Sequence, residues 1–269
     1  MTKLILTIKW LFWLLTKFDS RYLIVTPPFF FKLIKFDKLN KKFSSIKIRN
    51  DKDFYVLKQL FIDNDYGIEK LIRKKEIISF YNNELVKNKT PLIIDCGSNN
   101  GLSALFFKET YQNASVVGIE PDKDNYDISL INNIGNNNEF MHAAIANEEG
   151  FAKLEDPNLG TWGYRIKKSK NGTIRVTSIN LILKKFNSLK FSPFIIKIDI
   201  EGFEHDLFFK NTEWVDLFPV IIIELHDWML PRKKTSNNFL KRISRSNRDF
   251  VHIGENIFSI SNTLLKDVE

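Results

Sequence analysis

The chain has 269 residues, 43% hydrophobic and 27% charged, with a net charge of +8 and one cysteine, Cys96. That length serves one large α/β domain or one domain with an appendage, and a single thiol excludes a disulfide framework or a thiolate metal cluster within the chain. The positive charge is confined: residues 1–50 hold 11 Lys and Arg against Asp19 and Asp37, whereas the remainder holds 29 basic against 30 acidic residues, so no nucleic-acid groove is expected there.

Taken from its start, the chain opens on a basic head that is also aromatic, with Trp10, Phe12, Trp13, Phe18, Tyr22 and the run Phe29 to Phe31. Basic plus aromatic reads as a peripheral contact with a membrane surface. The competing reading is a helical hairpin packed on the rest of the chain or on a second copy in a homo-oligomer. The apolar run Leu4 to Leu15 is broken by Lys9 and is shorter than the roughly 20 residues that cross a bilayer as a helix. No small-residue cleavage site follows it in TKFDSRYLIV, so secretion is not expected. The expected location is cytoplasmic, at the inner face of a membrane where the head binds lipid. The charge balance changes near Asn50 to Asp53, which predicts an appendage over 1–52 and a main domain over 53–269.

Beyond that point strand and helix signals alternate. PLIID, SVVGIE, FMHAAIA, FIIKIDI and VIIIELH are short, β-branched runs, and the first two precede helix-like stretches, which predicts a parallel sheet covered on both faces. FAKLED, TWGYRI and TIRVTS, set apart by Pro157, Asn158, Gly160 and the Asn171–Gly172 pair, predict an inserted antiparallel excursion. DFVHIG and NIFSIS leave no room for a helical crossover and predict a closing antiparallel hairpin.

In DCGSNNG the chain leaves a buried strand and turns sharply toward a helix near Leu102, so Gly97 and Gly101 fall where backbone must approach a ligand or take a positive φ. Asn99 stands where many such loops have a further glycine, and Asn tolerates the left-handed region. Asp95 is placed at the crevice rim, to order water or meet a cofactor's amino group, or else to cap the turn. Glu120, 25 residues on at the tip of the second strand and followed by Pro121, is placed to accept from both hydroxyls of a ribose. NAD and S-adenosylmethionine both present that diol. A pyrophosphate binder wants GxGxxG, which DCGSNNG lacks, so the sulfonium cofactor is preferred. Ala143 and Ala144 in the third strand are small enough to admit an adenine edge.

These segments together resemble the FkbM family of methyltransferases. DCGSNNG is similar to the family's DxGANxG loop, GIEPD to its second motif, and FIIKIDIEGFEHDLF followed by PVIIIELHDW to its KxDxEGxE segment and next strand. The likeness runs from about Asp53 to Asp227, with Ser98 in place of the usual alanine and Asn180 where the family often has a Thr and Leu-Asp pattern. The resemblance implies a Rossmann-like methyltransferase sheet, mostly parallel with a C-terminal antiparallel hairpin, to which the head is expected to add an N-terminal helical appendage. It also implies O-methyl transfer from S-adenosylmethionine to a hydroxyl of a small molecule or glycan, a sugar in a surface polysaccharide being the expected acceptor. A non-catalytic glycan- or protein-binding module on the same fold is the alternative.

Strand alternation in FIIKIDIEGFEHD places Lys197, Asp199 and Glu201 on one side, with Lys197 as the counter-ion. Methyl transfer to a hydroxyl demands orientation and removal of its proton, and Asp199 or His226 is expected as the base. Asp199, Glu201, Glu224 and His226 can also hold a hard divalent ion such as magnesium, but their spacing is no metal motif and no metal is expected.

Overall fold

The runs KLIKFD and KFSSIK are short and bounded by polar residues, and neither carries an apolar stripe long enough for an amphipathic helix. The computed structural model describes residues 21–25, 32–155, 165–169 and 171–266. In it β1 (Tyr22–Val25), β2 (Lys32–Asp37) and β3 (Lys42–Lys47) form an antiparallel sheet in that order. The described part of the head therefore corrects the helical appendage: Leu33, Lys35 and Asp37 fall on one buried face while Ile34 is exposed, an alternation no helix satisfies. Lys35 sits over the rings of Tyr22 and Phe61, and Asp37 takes a two-pronged ion pair from Arg21. The Leu4 to Leu15 run, the aromatics from Trp10 to Phe18, and Phe29 to Phe31 lie outside the described residues, as do Pro157, Asn158 and Gly160.

Helix α1 (Asp51–Phe61) starts where Asn50, in extended conformation, accepts from the backbone N–H groups of Lys52 and Asp53. It belongs to the first of two units, Met1–Asp65 and Tyr66–Glu269.

The second unit runs through α2 (Lys74–Val86), β4 (Thr90–Cys96), α3 (Leu102–Thr110), β5 (Ser115–Glu120), α4 (Lys123–Asn132) and β6 (Glu139–His142). Then come β7 (Ala144–Ala146), β8 (Gly150–Glu155), β9 (Arg165–Lys168), β10 (Ile174–Ser178) and α5 (Ile179–Lys185). The remainder is β11 (Phe191–Ile198), α6 (Glu204–Leu207), β12 (Val220–Glu224), α7 (Asn237–Ile243), β13 (Arg248–Ile253) and β14 (Asn256–Ser261).

A seven-stranded sheet has the order β13-β14-β12-β11-β4-β5-β6, parallel from β12 to β6, with β14 antiparallel to both of its neighbours. Consecutive residues of its central strands, such as Ile93 with Ile94 and Ile221 with Ile222, are all buried, as a sheet covered on both faces requires. This is the mostly parallel α/β sheet with a closing hairpin that the apolar runs imply.

FMHAAIA is not one strand. It breaks at Ala143, so that β6 pairs with β5 while β7 turns away to lie parallel to β10 in a second sheet of order β7-β10-β8-β9. No helix among the described residues is long and apolar enough to cross a membrane.

Candidate active site

The parallel strands β4, β5, β11 and β12 all deliver their C-terminal ends to one edge of the sheet, the usual crevice of open α/β folds. The loop after β4 is tied down on one side by Gly97 and Ser98 N–H donating to the Ile119 carbonyl, each at 3.0 Å. On its other side the Asp199 N–H donates to the Cys96 carbonyl at 3.1 Å. Gly97 has φ +78°, and a Cβ there would lie 1.8 Å from the Asp199 carbonyl oxygen, so only glycine lets the end of β11 come this close. Asn99 takes the left-handed conformation at φ +48°, as its residue type allows.

A cavity opens over this edge, walled by Gly97, Asn99, Glu120, Pro121, Ala143 and Ala144 of the residues expected at a cofactor, and by Asp199 and Glu201 of those expected at the chemistry. Ile119, Asn125, Ile145, Ile166, Ile200 and Phe203 complete it, none of them a residue that the motifs point to. Asn125 had a local signal, because Asp122 caps α4 by accepting from the Asn125 N–H and so fixes the first helical turn beside Glu120. Ile119, Ile145, Ile200 and Phe203 are apolar neighbours of expected residues, and Ile166, on the inserted sheet, had no signal.

Glu120 is buried, yet each of its oxygens is held. Oε2 accepts from the Asn99 N–H at 2.8 Å, and Oε1 from the Asp122 N–H at 2.9 Å and the Asn125 amide at 3.5 Å. No ion pair reaches it among the described residues. Burial pushes its carboxyl up to about 7, against these hydrogen bonds and with help from the Asp122 charge. A carboxylate in this condition has free lone pairs toward the cavity and calls for neutral donors, which a ribose diol provides.

Four predicted residues are off the cavity wall. Gly101, at φ +76°, begins α3, and a Cβ there would meet Ser129 Cα at 2.8 Å, so its task is close helix packing. Asp95 is fully buried behind the loop, accepting from the Ser103 hydroxyl and facing Lys197 Nζ at 3.3 Å. Lys197 and Asp95 are register partners on β11 and β4, which puts both side chains on one face of the sheet. Lys197 also donates to the Gly97 carbonyl at 2.6 Å and reaches Asp199 at 3.4 Å. Burial works against its charge, but Tyr66, Asp95 and Asp199 hold its amine well above the ordinary lysine range.

His226 lies two residues beyond β12 and is buried. Its Nδ1 meets Glu204 Oε1 at 2.8 Å, while Nε2 faces Asp199 at 3.5 Å, Glu224 at 3.6 Å and Glu201 at 3.7 Å. Burial opposes a charged ring, yet the Glu204 hydrogen bond and the charges of Glu204, Asp199 and Glu201 push it up to about 10. Burial and the neighbouring Asp199 charge raise Glu201 and Glu224. Lys197, Asp199 and Glu201 meet here, although β11 ends at Ile198, so the strand alternation that predicts it stops short. Glu201 reaches the group through a left-handed turn at φ +54°.

The family model of the methyltransferase FkbM domain matches residues 95–251, more than half of the chain, spanning the loop, Glu120, Lys197, Asp199 and His226. The chain belongs to the FkbM methyltransferase family. By that membership it is a methyltransferase, as the resemblance in its motifs implies. No curated protein matches the chain. Among solved structures, a methyltransferase from Geobacter sulfurreducens is 14% identical, with 78% of this chain and 90% of that one covered and a TM-score of 0.35. An O-methyltransferase from Bacillus cereus in complex with SAH is 13% identical, covering 80% and 93%, with a TM-score of 0.40. The O-methyltransferase TomG from Streptomyces achromogenes, in complex with SAM, is 8% identical, covering 80% and 92%, with a TM-score of 0.41. In this FkbM member the matched segment holds every residue of the cavity wall, Ile166 on the inserted sheet included.

Proposed function

We propose that this FkbM methyltransferase transfers a methyl group from S-adenosylmethionine to a hydroxyl of a sugar, free or within a glycan. The observation that carries the reading is one cavity with two unlike ends. Glu120 stands at one end as a buried carboxylate without a cation, and Asp199 and Glu201 stand at the other. The first end suits the ribose of the cofactor, with Ile119, Ala143, Ala144 and Ile145 beside it as apolar surface for the adenine. The second suits an acceptor rich in hydroxyls, because each hydroxyl donates one hydrogen bond and a carboxylate accepts several. Trp228, 71% exposed just beyond His226, offers a flat apolar face of the kind that a sugar ring covers.

When bound, S-adenosylmethionine supplies an electrophilic methyl group on a sulfonium. The acceptor oxygen forms the new C–O bond as the C–S bond breaks, the sulfonium becomes a neutral thioether, and the hydroxyl proton leaves to a base. Of the two bases expected, Asp199 lines the cavity, and its carboxylate is fixed between Lys197 at 3.4 Å and His226 at 3.5 Å. With its ring pushed to about 10, His226 is protonated at neutral pH and serves to position Asp199. The basic head, residues 1–52, is the part we assign to a membrane surface or a second copy, on its charge alone.

Asp199→Ala is the test. Methyl transfer to a panel of glycan acceptors should fall by at least a factor of 10², while S-adenosylhomocysteine binding, measured by calorimetry, stays within severalfold. Full activity in the variant removes Asp199 from the mechanism, and failure of the wild type to bind S-adenosylhomocysteine removes the reading as a whole.

A further inference from the structure

We propose that Asp199, Glu224 and His226, with Glu201 beside them, form a binding site for one divalent cation of the manganese type at the acceptor end of the cavity. The inference rests on the methyl-transfer reading and deepens it.

The first argument is geometric. One ligand atom each from Asp199, Glu224 and His226 lies within 4.8 Å of the others. Around His226 Nε2 the carboxylate oxygens stand at 3.5, 3.6 and 3.7 Å. Donors bound to a common ion at about 2.1–2.4 Å sit roughly 3–3.5 Å apart when adjacent, so the distances from His226 Nε2 need to contract by only a few tenths of an ångström, and the 4.8 Å that bounds the set is close to the span of two donors on opposite sides of one ion.

The second argument is the histidine. Its ring is buried and its Nδ1 is engaged by Glu204, while its Nε2 stands 3.5–3.7 Å from oxygens of Asp199, Glu224 and Glu201, so that a cation entering there would displace the Nε2 proton and take its place among them. A buried carboxylate holding one ring nitrogen so that the other is presented to a metal is the usual second layer of a metal–histidine site.

Charge supplies the third. Five carboxylates, Asp95, Asp199, Glu201, Glu204 and Glu224, share this edge with only Lys197 and His226 as cations among the described residues. Lys197 is already divided between Asp95, Asp199 and the Gly97 carbonyl. Carboxylates outnumber cations by three here, and a divalent ion offsets most of that difference. Mixed imidazole and carboxylate donors suit manganese or zinc better than magnesium, which prefers oxygen alone. A cation here would hold the acceptor oxygen and make its hydroxyl more acidic, leaving proton uptake to the carboxylate oxygens it does not engage.

No spacing rule finds this set, because its ligands come from the ends of two different strands and close on one another only through the turn after β11.

The experiment uses the full chain, stripped with a chelator and desalted, and titrated with manganese(II) chloride. Free ion is read by its paramagnetic resonance signal, and 5′-methylthioadenosine binding is read separately by calorimetry. One equivalent of manganese should bind at micromolar affinity. Glu224→Gln should weaken it at least tenfold while 5′-methylthioadenosine binding stays within twofold, with circular dichroism confirming the fold. His226→Gln should do the same where it folds, and Glu224→Gln suffices where it does not. No uptake by the wild type, or equal uptake by Glu224→Gln, overturns the cation site. Loss of 5′-methylthioadenosine binding in the wild type would instead sink the methyltransferase reading and leave the cation result standing.

Discussion

Adenosine binding to this protein should strengthen as pH rises to neutrality, and Glu120 sets the midpoint. Its carboxyl is moved from an ordinary 4.5 to about 7, chiefly by burial, while the Asn99 and Asp122 N–H groups and the Asn125 amide pull the other way and Asp122 adds a like charge. To accept from both ribose hydroxyls it must be ionised, because the neutral acid turns one acceptor into a donor. Below pH 7 each unit of pH therefore costs about tenfold in affinity, so binding at pH 5.5 should be roughly thirtyfold weaker than the plateau above pH 8. The ligand to use is 5′-methylthioadenosine, which has no amine or carboxylate to titrate in that range, followed by calorimetry from pH 5.5 to 8.5. Glu120→Gln should flatten the profile and weaken plateau binding by about 1.5–3 kcal/mol, the value of hydrogen bonds to a charged acceptor. The same linkage acts on folding with the opposite sense. Between pH 4.5 and 7 the folded protein keeps a proton that the unfolded chain has lost, so Glu120 stabilises at low pH and that contribution fades by about 3 kcal/mol as pH rises through 7. A wild-type affinity that is flat across this range, or that rises toward acid, refutes the assignment of Glu120 to the ribose.

Two further outcomes follow from the packing around the loop. Gly97→Ala should lose about 1–3 kcal/mol from its left-handed conformation alone, and more from the Cβ driven into the Asp199 carbonyl, which urea denaturation reads directly; an unchanged midpoint would mean the loop can move aside. Lys197→Met should lose about 3–5 kcal/mol, because it leaves Asp95 buried and unpaired. Adding Asp95→Leu should recover most of that loss, and a double variant no better than the single one would show that Lys197 acts through other partners.

The parallel sheet was legible because its strands are buried on both faces, and runs such as PLIID and VIIIE cannot be anything but interior. That Gly97, Asn99 and Glu120 share one cavity wall was legible for a related reason: they sit at the tips of the adjacent strands β4 and β5, so spacing along the chain maps onto distance across the sheet. Asp95 misled in part, since a carboxylate near a strand end can face the crevice or the sheet interior, and only its register with Lys197 decides between them. The helical form expected of the head gives way to strands where it is described, and KLIKFD hides this because its buried face carries Lys35 and Asp37 beside Leu33, so no apolar alternation marks the strand. Ile166 has no local signal, since the inserted sheet brings it to the cavity, and Phe203, although it follows Glu201 and Gly202, reads as an ordinary core aromatic.

The two ends of the cavity are not held together by loops. β4 and β11 pair residue for residue from Ile195 to Ile198, so Asp95 and Lys197 are neighbours by hydrogen-bond register. The Asp199 N–H then locks the end of β11 to the Cys96 carbonyl, and Lys197 Nζ spans from Asp95 to Asp199 while gripping Gly97. The Gly97 loop and the Asp199 carboxylate, which the proposed reaction gives to donor and acceptor, are therefore tied to one another through the paired ends of β4 and β11. In-line transfer tolerates little misplacement, of the order of an ångström for a hundredfold loss in rate. That gives a physical reason for burying a lysine here: replacing it with an apolar side chain of similar length could match its packing, but would leave nothing to hold the donor end and the acceptor end in one geometry.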